Sequence, residues 1–167
     1  EQIISLLEAA RWAPSCFGDQ PWRFIVFNKV SNIVAWENAI DCLSEGNQSW
    51  ASNAPVLILS SADSIMTKTG QPNRWAQYDT GAATENLCLQ ATTMGLMTHQ
   101  MGGFDVEKAQ QLFKIPAQFM PMAMVSVGYQ LSEVAIPEDL KAREYNPRVR
   151  NPINDNFFNG SWGEPVD

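Results

Sequence analysis

Four of the eleven Lys and Arg residues, Lys141, Arg143, Arg148 and Arg150, fall within ten positions. In a chain of net charge −7, such a cluster suits one small anion, for example a phosphate. Arg148 and Arg150 lie between Pro147 and Pro152, which stiffen the segment and partly preorganise the two guanidinium groups. The same residues also read as a solvated tail paired with Glu138, Asp139 and Glu144. A second feature is Gly102-Gly103, between an expected strand and an expected helix. Two glycines let the backbone approach a flat ligand closely and offer two N–H donors; an ordinary turn uses the same pair. A third is the run from Pro14 to Trp22, with Ser15, Cys16, Gly18 and Gln20 between prolines. It could set hydroxyl, thiol and amide groups against the edges of a heterocycle, or simply join a helix to a strand.

Side-chain acid–base chemistry is thinly represented. Cys16 has no base nearby in sequence, and the single histidine, His99, falls on a short expected strand. Neither G-x-G-x-x-G nor G-x-x-x-x-G-K-[ST] occurs, so the common phosphate cradles are absent. Cys16, Cys42 and Cys88 form no C-x-x-C pair, and one histidine cannot complete a common zinc set, so no metal is expected. Reduced thiols suit the cytoplasm. The negative charge argues against nucleic-acid and anionic-membrane partners. Charged residues make up 17% and hydrophobic ones 45%; usual charged content is about 25%. That excludes disorder and suggests extra buried surface, such as a subunit interface. The longest apolar run, Ala54 to Leu59, is too short to span a bilayer.

The elements that must carry these features follow from periodicity. Glu1 to Trp12 has helical spacing, with no capping residue before Glu1, which predicts further chain upstream. Trp22 to Asn28 reads as a strand. Ser31 is the expected cap of a helix through Leu43, with Ile33, Val34, Trp36, Ile40 and Leu43 inward and Gly46 breaking it before a short turn with Trp50. Pro55 to Ser60 reads as a strand buried on both faces, and Ala62 to Asn73 as a mobile polar loop. Trp75 to Met94 is the longest helix, nearly uncharged and therefore buried, in part by a second subunit. Leu96 to Gln100 is a strand, Asp105 caps a helix to Phe113, and Met120 to Tyr129 is a strand. From Ser132 a polar, proline-punctuated tail begins, with Phe157, Phe158 and Trp162 as apolar anchors.

Several of these segments together resemble the nitroreductase family of FMN enzymes. They are Ala9 to Ser15 running into Gln20 to Phe24; Gly46-Asn47-Gln48 with Trp50-Ala51; and Ala54 to Leu59. Tyr78 to Ala83 with Asn86-Leu87, His99 to Asp105, and Gly160 to Pro165 continue the likeness in order along nearly the whole chain. The resemblance implies an α+β fold: a central, mostly antiparallel sheet of four to five strands flanked by helices. It implies one FMN-binding domain over 1–167, with 132–167 as an extended tail on the partner subunit of an intertwined homodimer.

The resemblance also implies FMN at the subunit interface. The loop Pro14, Ser15, Cys16 and Gly18 would face the flavin from one subunit, and Gln100, Met101, Gly102 and Gly103 would line it from the other. A backbone N–H of Gly102 or Gly103 would meet flavin N5, with no catalytic side chain, and Arg148 and Arg150 would hold the phosphate. NAD(P)H would pass hydride through N5 to a nitroaromatic, quinone or similar small aromatic acceptor in a ping-pong cycle. Alternatives are a non-catalytic flavin-binding or storage dimer, and a dehalogenase or flavin-modifying branch of the same fold. Two departures stand out: Gly18 where the family usually has Asn, and Cys16 where it has Ser. The family's Arg-Ser-x-Arg-type segment would precede Glu1.

Overall fold

A computed structural model describes residues 1–166. The chain divides into two compact units, residues 1–130 and 131–167. The first contains α1 (Gln2–Arg11), β1 (Trp22–Asn28), α2 (Ile33–Cys42), α3 (Glu45–Ala51), β2 (Val56–Asp63), α4 (Ala76–Thr93), β3 (Met97–Met101), α5 (Val106–Leu112) and β4 (Phe119–Gly128). Its four strands form one sheet in the order β1-β2-β4-β3, every pair antiparallel. This is the expected α+β architecture with four strands.

The apolar run of β2 is explained by its place. Every residue from Val56 to Asp63 is buried, because β2 is an inner strand with helices over both faces. Ile58 faces a cluster with Leu6 and Ala10 of α1 and Ala83, Leu87 and Ala91 of α4. Leu57 and Leu59 face the opposite cluster, with Trp36 and Ala39 of α2, Ala51 of α3 and Ala109 of α5. Strand side chains alternate, so an inner strand between two helical layers turns both sets inward, and from Val56 to Leu59 β2 is apolar at each position. Full burial of Leu57, Ile58 and Leu59 contributes about 1.5–3 kcal/mol for each side chain.

Four expectations are corrected. The cap of α2 is Asn32, whose side chain accepts from Ala35 N at 3.1 Å, and not Ser31. Ile33 and Val34, expected inward, are exposed at the start of that helix. Gly46 does not end the helical region; it lies inside α3, whose first turn is closed by bonds from Asn47 N and Gln48 N to Ser44 O. Ala62 and Asp63 extend β2, and the segment after them is an organised turn. There Met66 N donates to Gln71 O at 2.8 Å and Asn73 N to Ser64 O at 2.7 Å.

The long helix α4 buries one face against the sheet and leaves a stripe of Tyr78, Gly81, Glu85 and Leu89 exposed in the single chain. The second unit holds α6 (Glu138–Tyr145) and an isolated bridge between Phe158 and Pro165. The Phe158 ring sits 4.9 Å from that of Trp162, and Trp162 is exposed.

Candidate functional site

The glycine pair lies where β3 leaves the sheet. Met101, the last residue of β3, buries its side chain in the core, so only its backbone faces outward. Asp105 then caps α5 by accepting from Lys108 N at 2.9 Å. Between them the chain is sewn to the junction of α2 and α3. Ser44 N donates to Gly103 O at 2.9 Å and Asp105 N to Cys42 O at 2.7 Å. The Asn47 side chain adds a second donor to Gly103 O at 3.0 Å.

The two glycines differ in their reason for being glycine. Neither has a positive φ. A Cβ on Gly103 would stand 2.9 Å from Asn47 Nδ2 and 3.0 Å from Ser44 Oγ, so the position demands room. A Cβ on Gly102 would meet nothing within 4 Å, which leaves one face of that backbone uncovered. A cleft of about 450 Å³ opens beside the turn, lined by Asp41, Ser44, Gly102, Gly103 and Lys108 among others. Lys108 Nζ pairs with Asp41 at 2.6 Å on its rim, and this hydrogen bond raises the lysine pKa.

The Pro14–Gly18 loop is held by the other helical layer. Cys16 N donates to Asp79 Oδ2 of α4 at 2.9 Å, and Ser15 Oγ accepts from Gln20 N at 3.0 Å. Asp19 is buried, with Thr67 N and Asn73 Nδ2 on its two oxygens. Phe17 and Gly18 are exposed, both with left-handed backbone. Gln100 directs its side chain to Cys88 of α4 at 3.5 Å, on the face of the sheet opposite Met101. Loop and glycine turn are thus fastened to different layers.

His99 stacks edge-on to Trp50 at 4.9 Å and, among the described residues, its ring has no carboxylate or thiol partner. Cys42 and Cys88 are buried, and burial raises both thiol pKa values, against a smaller opposing effect of Lys108 on Cys42. Arg148 and Arg150 are exposed. Among the described residues neither forms an ion pair, whereas Lys141 pairs with Glu138 at 2.8 Å. The ion pairing of the solvated-tail reading is seen for the lysine, and the two exposed arginines fit either reading.

Four residues with no role expected from the sequence, Asp79, Asp19, Ser44 and Asn47, fix both segments. For Asp79 a signal existed: it is an isolated acid at the start of a helix that is otherwise almost uncharged. Asn47 falls in the Gly46-Asn47-Gln48 segment of the family resemblance, but its partner, Gly103, is far along the chain.

The nitroreductase family model matches residues 1–129. The chain belongs to the nitroreductase family. A Mycolicibacterium smegmatis relative, an uncharacterized 15.4 kDa protein in the ask 5' region, is 36% identical over 127 residues, covering 74% of this chain and 82% of that protein. A Methanothermobacter thermautotrophicus relative, provisionally named an NADH dehydrogenase/NAD(P)H nitroreductase, is 32% identical over 133 residues, covering 77% of this chain and 65% of that protein. A solved structure described as an oxidoreductase containing FMN superimposes with a TM-score of 0.89 at 34% identity, covering 98% of this chain and 82% of that one. The four-stranded sheet with its flanking helices is thus the nitroreductase fold.

Proposed function

We propose that this nitroreductase-family chain is an FMN-dependent NAD(P)H oxidoreductase acting on small, flat, electron-poor acceptors such as nitroaromatics or quinones. The observation that carries the reading is the glycine turn: Gly103 is pinned by Ser44 and Asn47 while Gly102 keeps an uncovered backbone face. A flat ring system fits against such a face, and a side chain at Gly102 would stand in its way. When bound, FMN supplies hydride acceptance from NAD(P)H and delivery to the second substrate, so the protein needs to bind, orient and polarise.

Each chain segment has a part in that task. The backbone of Gly102 or Gly103 would give an N–H to flavin N5, with Gln100 and Met101 flanking it. Pro14, Ser15, Cys16 and Gly18 would offer polar edges from a loop braced by its own bonds, by the turn after β2 and by α4. Arg148 and Arg150, both exposed and two positions apart, would hold the phosphate.

A homodimer belongs to the same proposal, with residues 132–167 packing on the partner subunit and FMN at the interface. The exposed Tyr78 and Leu89 on α4, Ile4 on α1 and Trp12 just after it support an unfilled contact face. A cytoplasmic location agrees with three free cysteines; among the described residues no helix is long and apolar enough to cross a membrane.

The test is the visible spectrum of the purified protein after incubation with FMN, identification of the released flavin, and NAD(P)H consumption with an added quinone. A yellow protein that turns over supports the proposal. A yellow protein that consumes no NAD(P)H is a flavin store, and a colourless one rejects the cofactor.

A further inference from the structure

The loop between α1 and β1 places Phe17 (φ 54°), Gly18 (φ 66°) and Gln20 (φ 51°) in the left-handed region. For Phe17 and Gln20 that conformation persists only where the surroundings hold it. Ser15 Oγ receives Gln20 N, and Ser15 O receives Gly18 N at 3.0 Å, both within the loop. Asp19 and Phe17 O tie the loop to the turn after β2, through Thr67, Asn73 and Lys68. The bond from Cys16 N to Asp79 Oδ2 at 2.9 Å instead reaches a helix of the core.

Asp79 is only 4% exposed. A buried carboxylate is expensive unless something stabilises it. Here the positive N-terminal end of α4, whose first turn contains Asp79, and the Cys16 amide do so. The helix beneath is immobilised by Ala83 and Leu87 in the core, so the carboxylate is a fixed post. We infer that Asp79 is the positioning residue of the cofactor loop: it orients the Ser15–Cys16 peptide and, through it, the polar edge that the loop turns toward the flavin. The inference rests on the FMN reading above.

Asp79→Ala leaves the Cys16 amide without an acceptor, whereas Asp79→Asn keeps an oxygen at the same place. FMN titration of the flavin-free protein, followed by fluorescence and by the position of the flavin's long-wavelength band, reads the cofactor side. Hydrogen exchange over residues 14–20 without FMN reads the loop itself. Asp79→Ala is expected to weaken FMN about tenfold, to shift the band, and to speed exchange over 14–20 about tenfold, the size of one bond to a charged group. Exchange in β2 should be unchanged, and Asp79→Asn should recover FMN binding to within about threefold. If Asp79→Ala does not fold, Cys16→Pro removes the donor from the other side, after an extended Ser15 that tolerates a following proline; the same losses are expected.

Wild-type affinity and band position in Asp79→Ala, unchanged loop exchange, or equal damage in Asp79→Asn would overturn the inference. A wild-type protein that takes up no FMN overturns the proposed function instead. The exchange comparison then still decides whether Asp79 orders the loop.

Discussion

The side-chain amide of Asn47 donates to the carbonyl oxygen of Gly103 at 3.0 Å, joining α3 to the turn after β3 across 56 positions of sequence. Any Cβ at Gly103 would push against that same Nδ2.

This gives the first prediction. Gly103→Ala should destabilise the fold by about 1–3 kcal/mol, by crowding Asn47 and Ser44 and loosening their bonds. Gly102→Ala, in open space, should stay within about 0.5 kcal/mol of wild type. Urea unfolding of flavin-free protein checks both, and equal effects would mean that the turn has room on both sides.

The arginine pair can be separated from general flavin affinity. Hydrogen bonds involving charged groups contribute about 1.5–3 kcal/mol each. Replacing Arg148 and Arg150 together by Ala should therefore weaken FMN about a hundredfold or more, with little change for riboflavin, which lacks the phosphate. Equal losses for the two flavins would give the arginines another role.

An obligate dimer is expected, because the α4 stripe and the aromatic residues of the tail need cover. Its interface should exceed about 2,000 Å². Sedimentation at micromolar concentration checks it; a stable folded monomer would remove the dimer from the proposal.

Glu8 supplies a pH prediction. Its carboxylate accepts from Arg11 at 2.6 and 2.7 Å and from Trp12 Nε1 at 2.8 Å. Chiefly the Arg11 hydrogen bond holds its pKa at about 2, down from 4.5. A lowered folded-state pKa means that the contribution is complete above the ordinary carboxyl range and fades as pH falls toward 2. An NMR titration should find the Glu8 midpoint near 2 and, in Arg11→Ala, a midpoint moved back toward 4.5. An ordinary midpoint in wild type would show that the pair does not persist in solution.

The thiols should react in a fixed order. Burial raises the pKa of Cys42 and Cys88, which keeps them protonated as well as covered. Cys16 is partly exposed. Alkylation at neutral pH followed by peptide mapping should modify Cys16 first and the other two only after unfolding. Early labelling of Cys88 would indicate that the packing between α4 and β3 opens readily.

Where local chemistry decides structure, the sequence was legible. The β-formers from Trp22 to Asn28 gave the observed strand, and Asp105 caps the helix it precedes. The choice of Asn32 over Ser31 as cap was not legible, because both types cap and the preceding turn selects between them; Asn28 Oδ1 accepts from Val30 N there. Gly46 misled because helix propensity is weak against packing. The buried Ala51 holds the helix around it, and Gln48 Nε2 bonds Leu43 O at 2.7 Å. The Gly102-Gly103 turn was placed from its neighbours, but the supports that shape it, Asn47 and Ser44, are long-range. So is the pairing of Asp79 with Cys16, and no spacing rule reports a contact across 63 positions.

The strand β2 has a consequence for how the chain comes off the ribosome. From Val56 to Ala62 it carries no charge and no proline, the composition of a segment that associates with its own kind when uncovered. One neighbour, β1, has already been made when β2 emerges. The other is β4, and Val56 must wait for Val127. Until α4, β3 and α5 have been synthesised, one edge of this wholly buried strand stays open. The interval between these two pairings is when β2 is open to association with other chains.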